Sequence, residues 1–394
     1  MKKSNAKIGI FMSAILMMGV IGVSSSLAVI AEKFNLQIMD VVAGLISVSC
    51  LAMIPVTVLS GILMSYISKK VLLITGIILF ILGGVLPSQM ESFQMIVALR
   101  VLFGIGVGII QPTCSSLVAE NYEGSERDRT MGTMNSFQML GCMVMSILGG
   151  QLGATANGAV NVFYVHLIGI ISLICAIIFI PYKKPAEKKK TDHAEKENLQ
   201  ITGGLIGWVL LYFVFMIAGQ IFSNNASALI TNLGIGTAAE AGRTLAAFAL
   251  GGFVMGFLFG KIFGALKNIT MPVGFFILAF SYVIMAFGTN MIFQYVGAFI
   301  CGLAFSIAMP LFATGSSALV NEATASFAIA LTTCFQNLGM TVCPYVVDPI
   351  STKMAAGGGL TKDQNALLFG AILIGIFGVI FLIRGLRLNR QLSK

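Results

Sequence analysis

Apolar stretches of about twenty residues follow one another along almost the whole chain, and they constrain the fold more than any other feature. A helix that spans a bilayer needs about 20 predominantly apolar residues. Twelve stretches meet this requirement: 8–31, 41–64, 70–88, 93–119, 131–152, 161–181, 202–223, 242–266, 270–289, 292–319, 325–347 and 365–386. The sequence therefore predicts an all-α membrane protein with twelve transmembrane helices.

The composition excludes a soluble globular protein. The 394 residues are 57% hydrophobic and only 10% charged, whereas a soluble domain carries about 25% charged residues. A core this apolar would have no polar surface to cover it in water, so a bilayer is the predicted surroundings.

The charged segment 182–200 divides the chain into two apolar halves. Ten of its residues are charged and it contains no apolar run. A segment of this kind cannot bury apolar surface and is typical of a solvated linker. We therefore predict an N-terminal six-helix bundle over 1–181, a cytoplasmic linker over 182–200 and a C-terminal six-helix bundle over 201–394.

The distribution of lysine and arginine predicts the orientation. With the N-terminus in the cytoplasm, 19 of the 24 basic residues lie on the cytoplasmic side and four on the other side, with Arg100 left inside a span. Cytoplasmic loops of membrane proteins carry such an excess. We expect a multi-pass protein of the cell membrane with both termini in the cytoplasm. The net charge of +9 is thus an orientation signal and not a nucleic-acid site.

A repeat relates the two halves. Pro112 and Pro310 are 198 residues apart, and the sequences at 136–141 and 334–339 share the same offset. Two unrelated landmarks with one offset indicate that the halves are copies of one six-helix unit.

Helix 4 carries the pattern with which the chain resembles a known family. Arg100 is followed by Gly104, Gly106 and Gly108. This Arg-x-x-x-Gly-x-Gly-x-Gly pattern, twelve spans and a charged central loop resemble the major facilitator superfamily. The resemblance implies two six-helix bundles around a midplane cavity, lined mainly by helices 1, 4, 7 and 10. Gly104 and Gly108 are expected to permit close helix packing.

The loop between helices 2 and 3 matches a second pattern of that family in part. Gly61, Leu63 and the basic pair Lys69 and Lys70 match, whereas Ser65 replaces the acidic residue and Ser68 replaces the second glycine. That replacement calls the usual charge-based cytoplasmic gate into question.

Helix 5 resembles an antiporter pattern of the family only partly. Gly141 and the pair Gly149 and Gly150 match, but Met145 and Ser146 stand where Gly-Pro is expected. The pattern is weak evidence for export.

Acidic residues are absent from the predicted helix midpoints. All 15 map to loops or helix ends, although a proton-coupled carrier usually needs a titratable group in its path. Asp348 and Glu32, at the outer ends of their helices, are the coupling candidates, each against the alternative of a solvated helix-end charge. His166 is a weaker candidate whose expected role is packing.

Polar side chains near mid-depth are the candidates for solute binding. Buried amides need hydrogen-bond partners, and in a carrier a solute can supply them; hydrogen bonds between helices are the alternative. The predicted substrate-binding residues are Ser24, Ser26, Arg100, Gln138, Tyr212, Gln220, Ser306, Gln336 and Asn337. Gln138 and Gln336 are the strongest pair, because the repeat places them symmetrically.

These features predict a membrane transporter that moves a small organic solute by alternating access, with the direction undecided. The alternatives are a proton-coupled exporter of drugs or metabolites and a sensor that has lost transport. An enzyme would need a nucleophile–base set or a metal cluster, and the sequence offers neither. We expect no cofactor and no metal, a small-molecule substrate and the lipid bilayer as partners, no nucleic acid, and function as a monomer.

Overall fold

A computed structural model describes residues 3–64, 66–183 and 202–392 as a helical protein, with no strand among them. The helices are α1 (Lys3–Ala14, Ile15–Ser26 and Leu27–Phe34), α2 (Ile38–Leu63), α3 (Lys69–Gln89), α4 (Phe93–Asn121), α5 (Gly124–Gly153), α6 (Gly158–Phe179), α7 (Gly203–Asn232), α8 (Ala238–Leu266), α9 (Thr270–Phe287), α10 (Met291–Ser317), α11 (Glu322–Ala355) and α12 (Lys362–Leu392). The predicted all-α membrane class is confirmed. Ser65 and the linker residues 184–200 lie outside the described residues.

Nine stretches of the described chain are long and apolar enough to cross a membrane. One of them, Ala238–Phe287, contains both α8 and α9. The remaining helices, α5 and α11, are 30 and 34 residues long and carry more polar residues. Their polar faces lie at the centre of the molecule, as the cavity described below shows.

Each set of six helices packs around its own apolar core. One core contains buried residues of α1 to α6, such as Phe80, Phe103 and Phe163. The other contains residues of α7 to α12, such as Phe215 and Phe275, together with Ile21 and Cys142 from the first half.

The repeat predicted from the sequence recurs in the packing. A Cβ added at Gly76 would lie 3.1 Å from the carbonyl oxygen of Gly106 and from Ile109, and one at Gly274 would lie 3.7 Å from the oxygen of Ala304 and 3.0 Å from Ile307. Each residue of the first contact is 198 positions from its counterpart in the second. The same offset relates the close approach of Gly141 to Ile15 and that of Gly339 to Phe213.

The two halves are in close contact at one end, which we call the outer end; the opposite end, where α1 begins, is the inner end. A Cβ added at Gly150 of α5 would lie 2.8 Å from the Cα of Gly242 in α8. The Ala28 amide of α1 donates to the Ser227 hydroxyl of α7 at 3.4 Å. The central space is therefore closed at the outer end.

Toward the inner end α5 and α8 stay in contact as far as Ser136 and Gly256, where an added Cβ at Gly256 would lie 3.8 Å from the Ser136 hydroxyl oxygen, and the two helices separate beyond that level. Added Cβ atoms at Gly132 of α5 and at Gly260 and Gly264 of α8 would meet no described atom within 4 Å. Under the predicted orientation, the inner end lies on the cytoplasmic side, so the central space opens toward the cytoplasm.

Two helices of the first half depart from α geometry beside the centre. Ile15–Ser26 of α1 is a 3₁₀ helix of 12 residues with non-helical angles at Met18, although runs of more than about four residues are uncommon. Ala43–Ser47 of α2 is a π-helical turn. At the end of this turn the Ser47 carbonyl accepts a hydrogen bond from Thr341 of α11 at 3.3 Å, which joins the two halves.

Candidate functional site

The central cavity lies between the two halves and consists of two adjoining volumes. The inner one, ≈ 370 Å³, lies among α5, α8, α10 and α11 and includes Ser306. The deeper one, ≈ 50 Å³, lies at mid-depth and is bordered by α1, α2, α4, α5, α7, α8, α10 and α11. Met18, Gln138, Phe305, Met309 and Gln336 border both.

Gln138 and Gln336 lie at the junction of the two volumes, on opposite halves. The Tyr212 hydroxyl donates to the Gln336 Oε1 at 3.1 Å and lies 2.8 Å from the Met309 sulfur. This contact fixes the orientation of the Gln336 amide. Its NH₂ group is then the donor that a solute carbonyl or hydroxyl could use.

Gln220, Ser223 and Asn337 are among the further polar side chains that border the deeper volume. Gln220 donates through Nε2 to the Asn224 Oδ1 at 3.2 Å. The Asn337 Nδ2 and the Ser223 Oγ are buried and have no hydrogen-bond partner among the described residues. Since buried polar groups are nearly always hydrogen-bonded in proteins, these two atoms are available to a solute.

Six of the nine predicted substrate-binding residues therefore border the cavity: Gln138, Tyr212, Gln220, Ser306, Gln336 and Asn337. Ser24, Ser26 and Arg100 do not. Ser26 donates to the Gly149 carbonyl at 3.3 Å, in the contact between α1 and α5. Both Ser24 and Ser26 are buried in the 3₁₀ segment of α1. A role for them at the site stays a prediction.

Arg100 lies inside the first half and neither borders the cavity nor reaches the surface. It is 0% exposed, and its guanidinium carbon is 4.7 Å from the Phe103 ring centroid and 5.0 Å from that of Phe163. Such cation–π contacts offset part of the cost of a buried charge. His166 packs against Phe103 and contacts the Gly19 carbonyl through Nε2 at 3.3 Å. Arg100 thus contacts aromatic side chains of the first half, and its role in solute binding stays a prediction.

The motif glycines are contact points between helices. A Cβ at Gly104 would lie 2.3 Å from the Ser49 carbonyl oxygen, and one at Gly108 would lie 3.2 Å from Met53, so both join α4 to α2. Gly149 approaches Gly22 of α1, whereas its neighbour Gly150 approaches α8 of the other half. Gly149 therefore serves packing within the first half, and Gly150 serves the closure between the halves.

The basic pair after α2 holds the inner end of the first half together. Lys69 forms an ion pair with Glu120 at 2.6 Å, and Lys183 approaches the same carboxylate at 3.1 Å. Lys70 donates to the Ile177 carbonyl at 2.6 Å. Gly61, in the same motif, has no described neighbour within 4 Å of an added Cβ.

The two coupling candidates lie at the outer end. Glu32 is exposed near the end of α1, and Asp348 of α11 forms an ion pair with Lys362. Neither borders the central cavity, and no acidic side chain does so among the described residues.

Several cavity residues were missed by the sequence analysis as binding candidates. Gln111 of α4 borders the deeper volume, as do six methionines, among them Met53 and Met340. Gln111 precedes Pro112 in the helix expected to line the cavity, so its position was a usable signal. Methionine is frequent throughout the chain, and its face on a helix cannot be inferred from frequency.

The sequence profile of the Major Facilitator Superfamily matches residues 9–344. The chain is 25% identical over 116 residues to the proton-coupled antiporter flippase LtaA of Staphylococcus haemolyticus, which is 29% of each chain. It is 26% identical over 120 residues to the multidrug transporter protein MdtP of Bacillus subtilis, covering 29% of this chain and 21% of that protein. The alignments therefore span less than a third of these two relatives.

Solved structures resemble the chain over nearly its whole length. A variant of the nucleoside transporter NupG has a TM-score of 0.78 at 10% identity, covering 97% of this chain and 99% of that one. A variant of a peptide transporter POT, in complex with sulfate, has a TM-score of 0.73 at 14% identity, covering 98% and 95%. At these identities the similarity shows the fold alone.

Proposed function

Because this chain belongs to the Major Facilitator Superfamily, and is thus a membrane transporter, we propose that it moves a neutral, amphipathic organic solute through the central cavity by alternating access. The family is one of transporters and not of enzymes. The observation that carries the proposal is a cavity between two repeat-related halves, closed at the outer end and open at the inner end, with amides at its junction.

The lining of the cavity supports a neutral solute. Methionine and phenylalanine side chains form much of the wall of the deeper volume, and the polar groups of both volumes are amides and hydroxyls, with no charged side chain among the described residues that border them. A charged solute would lose its hydration there without meeting an opposite charge, which is costly. Apolar walls with a few placed polar groups are typical of small-molecule sites, and methionine adapts to varied shapes.

A proton-coupled exporter is the second candidate. It is favoured by the printed functions of LtaA and MdtP, whose similarity to this chain covers only part of their length. We further propose a cell-membrane location, cytoplasmic termini and function as a monomer.

Transport into proteoliposomes tests the proposal. A panel of neutral, cationic and anionic amphipathic solutes is assayed for exchange without an ion gradient, and then with imposed pH and Na⁺ gradients. We expect neutral solutes to exchange most rapidly, and the Gln138→Ala/Gln336→Ala double variant to exchange more slowly at limiting concentration. Exchange restricted to cations or anions would contradict the proposed solute class, and a full panel with no exchange would favour the sensor alternative.

A further inference from the structure

A second cavity, of ≈ 390 Å³, lies at the outer end between the two halves. We call it the outer cavity. Gln37, Ile38, Met39 and Val42, at the start of α2 in the first half, form one wall, and α7, α11 and α12 of the second half form the others. The solvent exposure of this cavity therefore depends on how closely the two halves approach each other.

Three charged side chains line the outer cavity. Lys362 forms an ion pair with Asp348. Asp363, which is 5% exposed, accepts a hydrogen bond from the Asn232 Nδ2 at 2.7 Å. Two carboxylates and one ammonium leave one uncompensated negative charge in this space.

The surrounding elements supply no cation for that charge. Among the described residues, α7 contains no charged residue, α2 contributes Asp40, and α11 contributes Glu322 and Lys353 beyond Asp348. Asp40 and Lys353 are exposed and do not line the cavity, and Glu322 begins α11 at the inner end. The arginines of α12 belong to the last part of that helix, at the inner end. Cys343 is the remaining titratable side chain that lines the cavity.

A single layer of side chains separates the outer cavity from the central cavity. Asn224 lines the outer cavity, and Gln220 borders the central one. They share a hydrogen bond of 3.2 Å, and Asn224 also contacts the Cys343 sulfur at 3.5 Å. A movement of α7 that opens the outer end would join the two cavities.

We propose that Asp363, with Asp348 and Lys362 beside it, is a proton-binding site that stabilises the outer-closed state. In the binding step a proton from water joins a carboxylate oxygen of Asp363 as an O–H bond, and the cavity loses its net negative charge. The inference rests on the alternating access proposed above and adds the groups through which protons influence it.

The direction of the pH effect on the outer closure follows from the burial of Asp363 beside the wall that α2 provides. In the outer-closed state Asp363 is 5% exposed, whereas Asp348 and Lys362 beside it keep contact with solvent. Burial favours the protonated form of the Asp363 carboxylate, against the hydrogen bond from Asn232 and the charge of Lys362, which favour the ionised form. When the halves separate at the outer end, water hydrates the carboxylates and the proton is released. A ligand favours the state that binds it more tightly, so acidic pH favours closure and alkaline pH favours opening.

The accessibility of position 227 measures this equilibrium without any solute. Ser227 is 1% exposed and contacts Ala28 across the outer closure. Ser227→Cys is introduced into a chain in which the two incompletely buried cysteines, Cys175 and Cys334, and Cys343, which lines the outer cavity, are replaced by serine. A membrane-impermeant maleimide is applied from the outer side, and the labelling rate is divided by that of Ala156→Cys, an exposed outer position. The ratio removes the pH dependence of the thiolate itself.

We expect the ratio to rise with pH by at most about tenfold per pH unit, the limit for one linked proton. In Asp363→Asn the ratio should be independent of pH. Asp363→Glu and the control Asp40→Asn, at an exposed carboxylate of α2, should retain the rise. Gel filtration establishes that each variant is folded.

A labelling ratio that does not change with pH when Asp363 is present, or one that still rises with pH in Asp363→Asn, would overturn the proton site. Either result would leave alternating access intact. A ratio that responds to replacing choline with sodium, and not to pH, would also overturn it. No labelling of Ser227→Cys under any condition would contradict alternating access itself, and the two failures are therefore distinguishable.

Discussion

Gln138 and Gln336 provide the most direct test of the central cavity. A hydrogen bond to a solute contributes roughly 0.5–1.5 kcal/mol, so Gln138→Ala and Gln336→Ala should each weaken solute affinity by about two- to tenfold. The measurement is the concentration dependence of exchange in proteoliposomes. Gln89→Ala, at an exposed glutamine that contacts Tyr164, is the matched control.

Arg100→Met belongs in the same series, because sequence and structure differ about this residue. Because Arg100 borders neither volume of the central cavity, Arg100→Met is expected to leave the solute affinity within about twofold of that of the unsubstituted chain. A larger loss of affinity with Arg100→Met than with Gln138→Ala would return Arg100 to the solute site.

The sequence predicted that Gln138 and Gln336 border the cavity, but it did not distinguish them from Arg100, which is buried away from it. The repeat related Gln138 to Gln336 before their positions were known, because one offset fixed both. No such signal existed for Arg100, which contacts Phe103 of α4 and Phe163 of α6. The positions of Ser24 and Ser26 were not predictable either, because the 3₁₀ geometry of α1 changes the face of the helix on which each residue lies.

Neighbouring glycines of α5 should have separable effects. A Cβ at Gly149 would lie 2.0 Å from the Gly22 carbonyl inside the first half, whereas one at Gly150 would meet Gly242 across the closure. Overpacking costs typically about 1–3 kcal/mol. We expect Gly149→Ala to lower the thermal stability of the purified protein. Gly150→Ala should remain stable but slow exchange and raise labelling at Ser227→Cys.

Gly260→Ala of α8 is the control for both glycines, since its added Cβ would meet no described atom within 4 Å. Equal losses of stability in Gly149→Ala and Gly150→Ala would contradict the assignment of one to packing and the other to closure.

Helix positions were largely predictable from hydropathy, whereas helix ends and geometry were not. The predicted span 131–152 lies within α5, which begins at Gly124, and the span 325–347 lies within α11, which ends at Ala355. Apolar windows identify only the part of a helix that lipid or core surrounds, so polar extensions are lost. The π turn of α2 is hydrogen-bonded to Thr341 of α11, a contact between distant residues that a local sequence pattern does not contain.

The orientation of the whole chain can be tested with single cysteines. The distribution of basic residues predicts that Lys190→Cys, in the linker, is protected from an impermeant maleimide in intact cells, whereas Ala156→Cys and Gly357→Cys react. Both controls lie in exposed segments between helices at the outer end. Labelling of position 190 from outside would reverse the orientation and contradict the predicted cytoplasmic linker.

The 3₁₀ segment makes α1 longer than an α-helix of the same number of residues would be. A 3₁₀ helix rises about 2.0 Å and turns about 120° per residue, compared with about 1.5 Å and about 100° in an α-helix. Rewinding the 12 residues of Ile15–Ser26 as α-helix would shorten α1 by about 6 Å and rotate its outer part by about 240° relative to its inner part. Such a change would turn Ser25 and Ser26, which now pack against α5, to another face, and it would start from the break that the helix already has at Met18.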